Sequence, residues 1–523
     1  MTVELSTLLL QFQPESEDLK SRQKFDQAAK AFVKQLDNVS APHWSKGANT
    51  PQDVLEILNP TVNSIAYAFA LRHRISVAVD KKSTDAIQPG GALWNKLVLF
   101  LETFDPVQMR YAGQEYKKLV DYVETLARNA GSPGLAIAPI RSAMIRLDPT
   151  TGTFTSTHLD FVRLCLETQS YAAAQPILDN YIHSLPSQIP AAVREGSEYS
   201  VVAADVARSG EFIHKNSGHS DKVTFVDVQE YYVLGAMAYL GLRQFKKAQQ
   251  FLEHVLVMPS ANVANGLMLE AYKKWVLLNC LVSDEPKAVP RSANATAIKQ
   301  VRGASKAYEA VADAYGHLHN MSKLKAQINA GAQTWAEDGN TGLVKAVLDS
   351  QMRAYVSRLS KTFSAIPVSN IARNVGGSAD ETTQYLETLI KEGHLNARLE
   401  QTNKPETGIV LRFYLDPTQG PLAKTEKQQQ QALFEQTLRT NALADQVRDA
   451  DYRLTLTKEF IENLKRQQKR QGPSGDAMDT AWDDGVEEED IMTHSHQHEA
   501  VVDRPHKKQK TGDDGTELSV EVK

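Results

Sequence analysis

The chain has 523 residues, 58 basic and 63 acidic side chains, and a formal net charge of −5. That length exceeds one ordinary core and predicts two or more domains or an extended array. Only Cys165 and Cys280 occur, which excludes a disulfide framework and a thiolate metal cluster and fits a reducing compartment. Residues 473–523 hold 14 acidic and 5 basic side chains, a net of −9, leaving +4 for residues 1–472. Neither part is a dedicated polyanion binder.

The start, Met1–Gln13, has no basic region, and Leu8–Leu10 is too short for a secretory core. No apolar run approaches the roughly 18 residues of a spanning helix. From about residue 5 to 340 the pattern is helical and strand-like alternation is scarce, which predicts an all-α region. Leu5–Leu36 is interrupted near Pro14, and Val54–Val79 is a long apolar-faced stretch. Leu93–Phe104 and Tyr111–Asn129 follow, then a break and one short helix in Pro133–Pro149.

Two windows suggest helical hairpins repeating at about 34 residues. In Asp227–Pro259, Tyr231, Leu234, Gly235, Phe251 and Pro259 fall at tetratricopeptide-like positions, with departures at Ala238 and Ala248. His158–Pro186 keeps Ala174, Leu178 and Pro186 but has Val162 where glycine is usual. Such hairpins bury their apolar faces only by stacking, so residues 1–340 are predicted to form a solenoid. Ser283–Ala293, with Pro286 and Pro290, is a loop between hairpins.

Gly342–Phe363 carries Val344, Val347, Leu348, Tyr355, Val356, Leu359 and Phe363 as a helical stripe. Running straight into Ile366, this helix would fix the adjoining module rigidly to the array. That module has the outline of a winged helix. Ser369 is placed to cap a short helix whose apolar side is Ile371, Ala372 and Val375, and Gly376–Gly377 supplies the turn. Ser378 and Glu381 form a capping box for a second helix with Tyr385, Leu386, Leu389 and Ile390 on one face, closed by Gly393. Leu395, Ala397 and Leu399 alternate with polar residues, and Ile409, Leu411, Phe413 and Leu415 repeat the pattern, which predicts a two-stranded hairpin. Pro417 and Pro421 close the unit, so 341–421 is one module.

A winged helix suggests nucleic-acid reading, and the charges argue against it. The second helix carries Asp380, Glu381, Glu387 and Glu392 against Lys391, a net of −3, where a groove-entering helix needs a neutral or positive face. The wing is mixed: Arg398, Lys404 and Arg412 against Glu400 and Glu406. A protein-docking unit fits better, with Ile409–Leu415 expected as a sheet edge open to strand addition by a neighbour.

Lys424–Gln471 contains no Pro or Gly. Leu443, Val447, Ala450, Leu454, Ile461 and Leu464 follow a partial heptad seam, weak at Thr457. The seam predicts bundling with partner helices in 422–471, the alternative being return onto its own winged helix. Residues 472–523 have the composition of a disordered acidic tail. Within it, Ala481-Trp482-Asp483-Asp484 with Glu487–Asp490 has acidic-aromatic docking character. Arg504–Lys510 and Lys465–Arg470 have import-signal character.

Catalytic motifs are missing: there is no phosphate loop, nucleophile elbow or Cys-x-x-Cys. His494, His496 and His498 are the one metal-like cluster. The positions ten and thirteen after His494 are Arg504 and Lys507, where a His-x-His isopeptidase needs serine and aspartate. No cofactor, catalytic residue or metal site is expected.

Solenoid, linker helix, winged helix and terminal helix in this order resemble the PCI proteins, shared subunits of the proteasome lid, the signalosome and translation initiation factor three. The stretch Gln351–Val368 is similar to the segment leading into the PCI module. Leu359-x-Lys361-Thr362-Phe363 and Glu392-Gly393-x-Leu395-x-Ala397, with Leu36-Asp37-Asn38-Val39 and Leu55-x-x-Leu58, are most similar to the signalosome members. The resemblance implies a non-catalytic scaffold in cytoplasm and nucleus. Its partners would be other PCI subunits and an isopeptidase subunit that removes a ubiquitin-like modifier from cullins. Ile409, Leu411 and Phe413 on the wing, with Leu443, Val447, Leu454, Ile461 and Leu464, are the expected partner interface. A scaffold of the lid or of the initiation factor is the alternative, and a nucleic-acid-binding regulator the alternative of another class.

Overall fold

The computed structural model describes residues 5–455 apart from 82–83, 259–262, 283–286, 317–320, 376–377, 402–407, 417 and most of 15–21, 41–52 and 187–211. Beyond 455 it describes 463 and 466. The chain forms two compact units, Met1–Gln436 and Thr437–Lys523.

The first unit begins as helices joined by short turns, as the patterning predicts. The Val54–Val79 stretch holds two helices. Asp53 accepts from the Leu55 N–H at 3.2 Å to start Val54–Ile57, and a turn through Pro60 separates it from Ser64–Asp80. Pro60 has no N–H to continue the ladder, and the Asn59 side chain takes the Thr61 N–H at 2.9 Å instead. Ala92–Thr103, Gly113–Asn129 and Ile137–Leu147 follow, packed through Leu97, Phe100, Leu119, Val123 and Ile140, all buried.

Both repeat windows are helical hairpins: Ser156–Glu167 with Tyr171–Leu178, and Phe225–Gly241 with Phe245–Val257. The second begins with a capping box in which Thr224 and Asp227 satisfy each other's backbone N–H groups. Gly235 lies where three helices crowd together. A Cβ there would stand 2.7 Å from ring carbons of Phe251 and 3.0 Å from Leu178 Cδ2. Gly235→Val is therefore expected to lower stability by about 1–3 kcal/mol, read as a drop in the chemical denaturation midpoint. An unchanged midpoint would show that the ring simply moves aside. Val162, the departure in the first hairpin, is fully buried.

The hairpin turns repeat one hydrogen-bonding device. After Gly113–Asn129, Ser156–Glu167, Phe225–Gly241 and Ala332–Glu337, two N–H groups reach back to carbonyls of the last turn. These are Ser132 to Ala127, Ser170 to Cys165, Gln244 to Tyr239 and Asn340 to Trp335 at 2.8–3.0 Å, each beside a second, shorter-range bond. The residue between the helices takes the left-handed region: Gly131, Gln169, Arg243 and Gly339.

The last of these turns leads into the linker helix, Thr341–Thr362. A polar knot holds it on the array. Lys273 Nζ reaches Asp338 Oδ1 at 2.6 Å, and the Tyr308 hydroxyl donates to Asp338 Oδ2 at 2.7 Å. Lys274 Nζ donates to Asn340 Oδ1, and Asn340 Nδ2 to the Tyr308 hydroxyl, each at 2.8 Å. With Asn340 and Lys274 both buried, these bonds are made away from water, where losing a partner costs most. The linker helix buries Val344, Val347, Met352, Tyr355 and Val356 and ends two residues before the first strand.

Within the second unit the described helix is the continuation of Glu426–Thr455. Residues 467–523, including the acidic-aromatic motif, the histidine cluster and the 504–510 cations, lie outside the described residues.

Candidate functional site

The winged helix comprises β1 (Ala365–Pro367), a first helix (Val368–Val375), a second helix (Ala379–Lys391), β2 (Ala397–Gln401) and β3 (Ile409–Phe413). Ser369 lies inside the first helix, not at its cap, because the strand runs to Pro367 and the helix starts directly after it. Ile371 and Ala372 are buried as expected, while Gly376–Gly377 lies outside the described residues.

The second helix matches its sequence signals at both ends. Ser378 Oγ accepts the Glu381 N–H at 3.2 Å, and Glu381 Oε2 faces the Ser378 N–H at 3.5 Å. Gly393 takes φ +74°, with His394 N–H bonded to Leu389 O and Gly393 N–H to Ile390 O. Ser378→Ala is expected to cost about 1 kcal/mol in thermal or chemical unfolding through the lost cap. No change would mean that solvent replaces the cap. The exposed face keeps its negative charge, Lys391 pairing with Glu387 at 3.7 Å. On the wing, Arg412 Nε pairs with Glu400 at 3.1 Å. One of the few cations available for phosphate is thus already neutralised.

The sheet corrects the expected edge. It has three strands in the order β1-β3-β2, all antiparallel. β3 is central, with Leu411 opposite Ile366 on one side and Leu399 on the other. Leu411 and Phe413 are buried and Ile409 is packed against the core. Leu415 falls after the strand and is 76% exposed. A neighbour therefore cannot add to Ile409–Leu415.

The two outer strands differ. Tyr414 N–H bonds Asn396 O at 2.9 Å, so with the antiparallel alternation Arg398 and Glu400 turn their main chain to β3 while Leu399 and Gln401 turn theirs outward. Phe413 N–H bonds Ser364 O at 2.9 Å, so in β1 Ala365 and Pro367 face outward, and Pro367 has no N–H to offer. β1 is short and blunted. Among the described residues the open edge is β2.

Bonds from this module to the linker helix include Asn374 Nδ2 to the Tyr355 hydroxyl at 2.8 Å and the Tyr385 hydroxyl to Asp349 O at 3.3 Å.

The terminal helix, Glu426–Thr455, starts where Thr425 and Gln428 cap each other. Leu443, Val447 and Leu454 are 53%, 66% and 50% exposed. Ile461 and Leu464 lie outside the described residues. Phe434 and Leu438 are likewise more than half exposed. Sequence reading passes over them behind the glutamine run, although their i, i+4 spacing puts them on one face.

Both thiols are buried, and burial pushes Cys165 and Cys280 up to about 12, far from nucleophilic. Among the described residues no group of three His, Cys, Asp or Glu side chains is placed to hold a metal, and no helix is long and apolar enough to cross a membrane.

The family model for the N-terminal helical repeats of COP9 signalosome complex subunit 3 matches residues 26–296, and that for the PCI domain matches 332–405. COP9 signalosome complex subunit 3 of Emericella nidulans is 31% identical over 449 residues, covering 84% of this chain and 89% of the relative. The chain belongs to the COP9 signalosome subunit 3 family. The subunit 3 of Arabidopsis thaliana is 25% identical over 322 residues, 61% of this chain and 65% of that protein. The repeats matched by the family end at 296, whereas the helical array here continues to Glu337 before the linker helix. The PCI match takes in Asp338 and Asn340 of the polar knot, the linker helix and the winged helix as far as β2.

Proposed function

We propose that the chain is a non-catalytic scaffold subunit of the signalosome, holding PCI neighbours and the isopeptidase subunit so that the ubiquitin-like modifier is removed from cullin-RING ligases. The observation that carries this reading is the pairing of two features in a member of that family. One is a winged helix that follows a linker helix whose start is tied to the helical array by buried polar bonds. The other is a terminal helix with Leu443 and Val447 more than half exposed. A chain that binds only through its array would have no use for such a helix.

On this reading residues 1–340 are the array, 341–421 the PCI module, 422–471 the bundling helix and 472–523 the acidic tail. Partner helices meet Leu443, Val447, Leu454, Ile461 and Leu464. Strand addition, expected first at Ile409–Phe413, takes place on β2. The complex works in cytoplasm and nucleus.

Affinity purification of the tagged chain from cells tests this. Cullins and an isopeptidase subunit should co-purify. Recovery of proteasomal or ribosomal proteins in their place would move the chain to another PCI assembly.

A further inference from the structure

A groove of about 460 Å³ lies where the linker helix meets β1 and the first winged-helix helix. Its floor is apolar: Tyr355 and Leu359 from the linker helix and Ile366 from β1. Phe363 stands at its mouth with 45% of its surface exposed, although it immediately follows an otherwise well-packed helix. The opposite wall is polar. Asn370, Arg373 and Asn374 fall at i, i+3 and i+4 of the first helix and so project from one face.

We propose that this groove binds an extended acidic peptide of a partner protein, one large apolar side chain seated over Tyr355, Leu359 and Ile366 and a neighbouring carboxylate on Arg373. Three observations carry this. First, the volume falls in the range of roughly 300–1,000 Å³ that holds a bound side chain with some backbone. Second, Arg373 has no carboxylate partner among the described residues, and a guanidinium beside an apolar floor is suited to bidentate carboxylate capture. Third, the surrounding charge is net positive. From Asp349 to Val375 the chain carries Arg353, Arg358, Lys361 and Arg373 against Asp349, a net of +3. The second helix of the same module has a net of −3. An acidic ligand is steered to the first surface and repelled from the second.

Backbone pairing is not the mode of binding here. Pro367 leaves the outer side of β1 without the N–H that a joining strand needs at that position. The carboxamides of Asn370 and Asn374 are the groups available to a peptide main chain. Asn374 already donates to the Tyr355 hydroxyl, which orients its oxygen as an acceptor. Such binding is separate from assembly through the terminal helix and needs no other subunit.

Fluorescence anisotropy with the purified full chain tests it. The probes are fluorescein-labelled twelve-residue peptides of Asp and Glu with Trp, Phe, Leu or Ala at the centre, and the same four with Lys replacing every acid. Acidic peptides with Trp, Phe or Leu should bind at least tenfold more tightly than the Ala and Lys forms. Arg373→Glu and Phe363→Ser should each remove that preference. Both sites are exposed, and an unchanged circular dichroism melt shows that the fold persists. Equal affinity for acidic and basic peptides, or full binding by Arg373→Glu, overturns the proposal. Loss of signalosome recovery in the purification experiment would leave this result untouched, so the two readings fail separately.

Discussion

Replacing Leu443 and Val447 together with aspartate is expected to release the chain from its complex and leave its own melting unchanged. At 53% and 66% exposure, neither side chain holds much of the chain's own core, and exposed substitutions usually stay within about 0.5 kcal/mol. In a helical bundle the same side chains would be buried, each giving about 1.5–3 kcal/mol. Aspartate removes that gain and places a charge in a desolvated seam. A combined loss above about 4 kcal/mol weakens association roughly a thousandfold. Thermal melting of the purified variant reads the first half and recovery of co-purifying subunits the second. A melting point lowered by several degrees with recovery intact would show that these residues serve the chain's own core.

The capped second helix of the winged helix is legible because its signals are local: Ser378, Glu381 and Gly393 each act within one helical turn. The elements that sequence misreads depend on partners far along the chain. β1 is only Ala365-Ile366-Pro367, too short to alternate and containing a residue that usually marks a break. Without it the wing looks like a two-stranded hairpin and β3 like an edge. With it, the strand of Ile409, Leu411 and Phe413 becomes the centre and β2 the free side. The repeats hide for a different reason. Their shared turn needs a left-handed residue, yet two of the four positions hold Gln169 and Arg243, which do not announce that conformation. Phe434 and Leu438 are missed because they form only a short i, i+4 pair behind the polar run at Gln428–Gln431, on a different face of the helix from Leu443 and Val447.

The pH dependence of stability is the second large effect expected, and it comes from histidines that the repeat pattern alone does not explain. His158 is buried in the capping box of its helix. Its Nδ1 accepts the Thr155 N–H at 3.1 Å, so Nε2 carries the proton and donates to Thr151 O at 3.1 Å. His219 is equally buried, its Nε2 donating to Met109 O at 3.0 Å. Burial disfavours the charged ring and lowers both from 6.5 to about 4, against the smaller pull of those carbonyls. Between about pH 6.5 and 4 the unfolded chain therefore binds protons that the folded chain does not, so stability rises with pH across that window. The contribution is complete above 6.5 and lost on acidification towards 4, at about 3 kcal/mol for each histidine. Between pH 6 and 5 the pair should remove about 2 kcal/mol. Chemical denaturation at those two pH values measures it. A double variant, His158→Gln with His219→Gln, should be less stable at neutral pH but lose about 2 kcal/mol less over the same interval. An equal slope in parent and variant would mean that one or both rings gain a proton without leaving the fold.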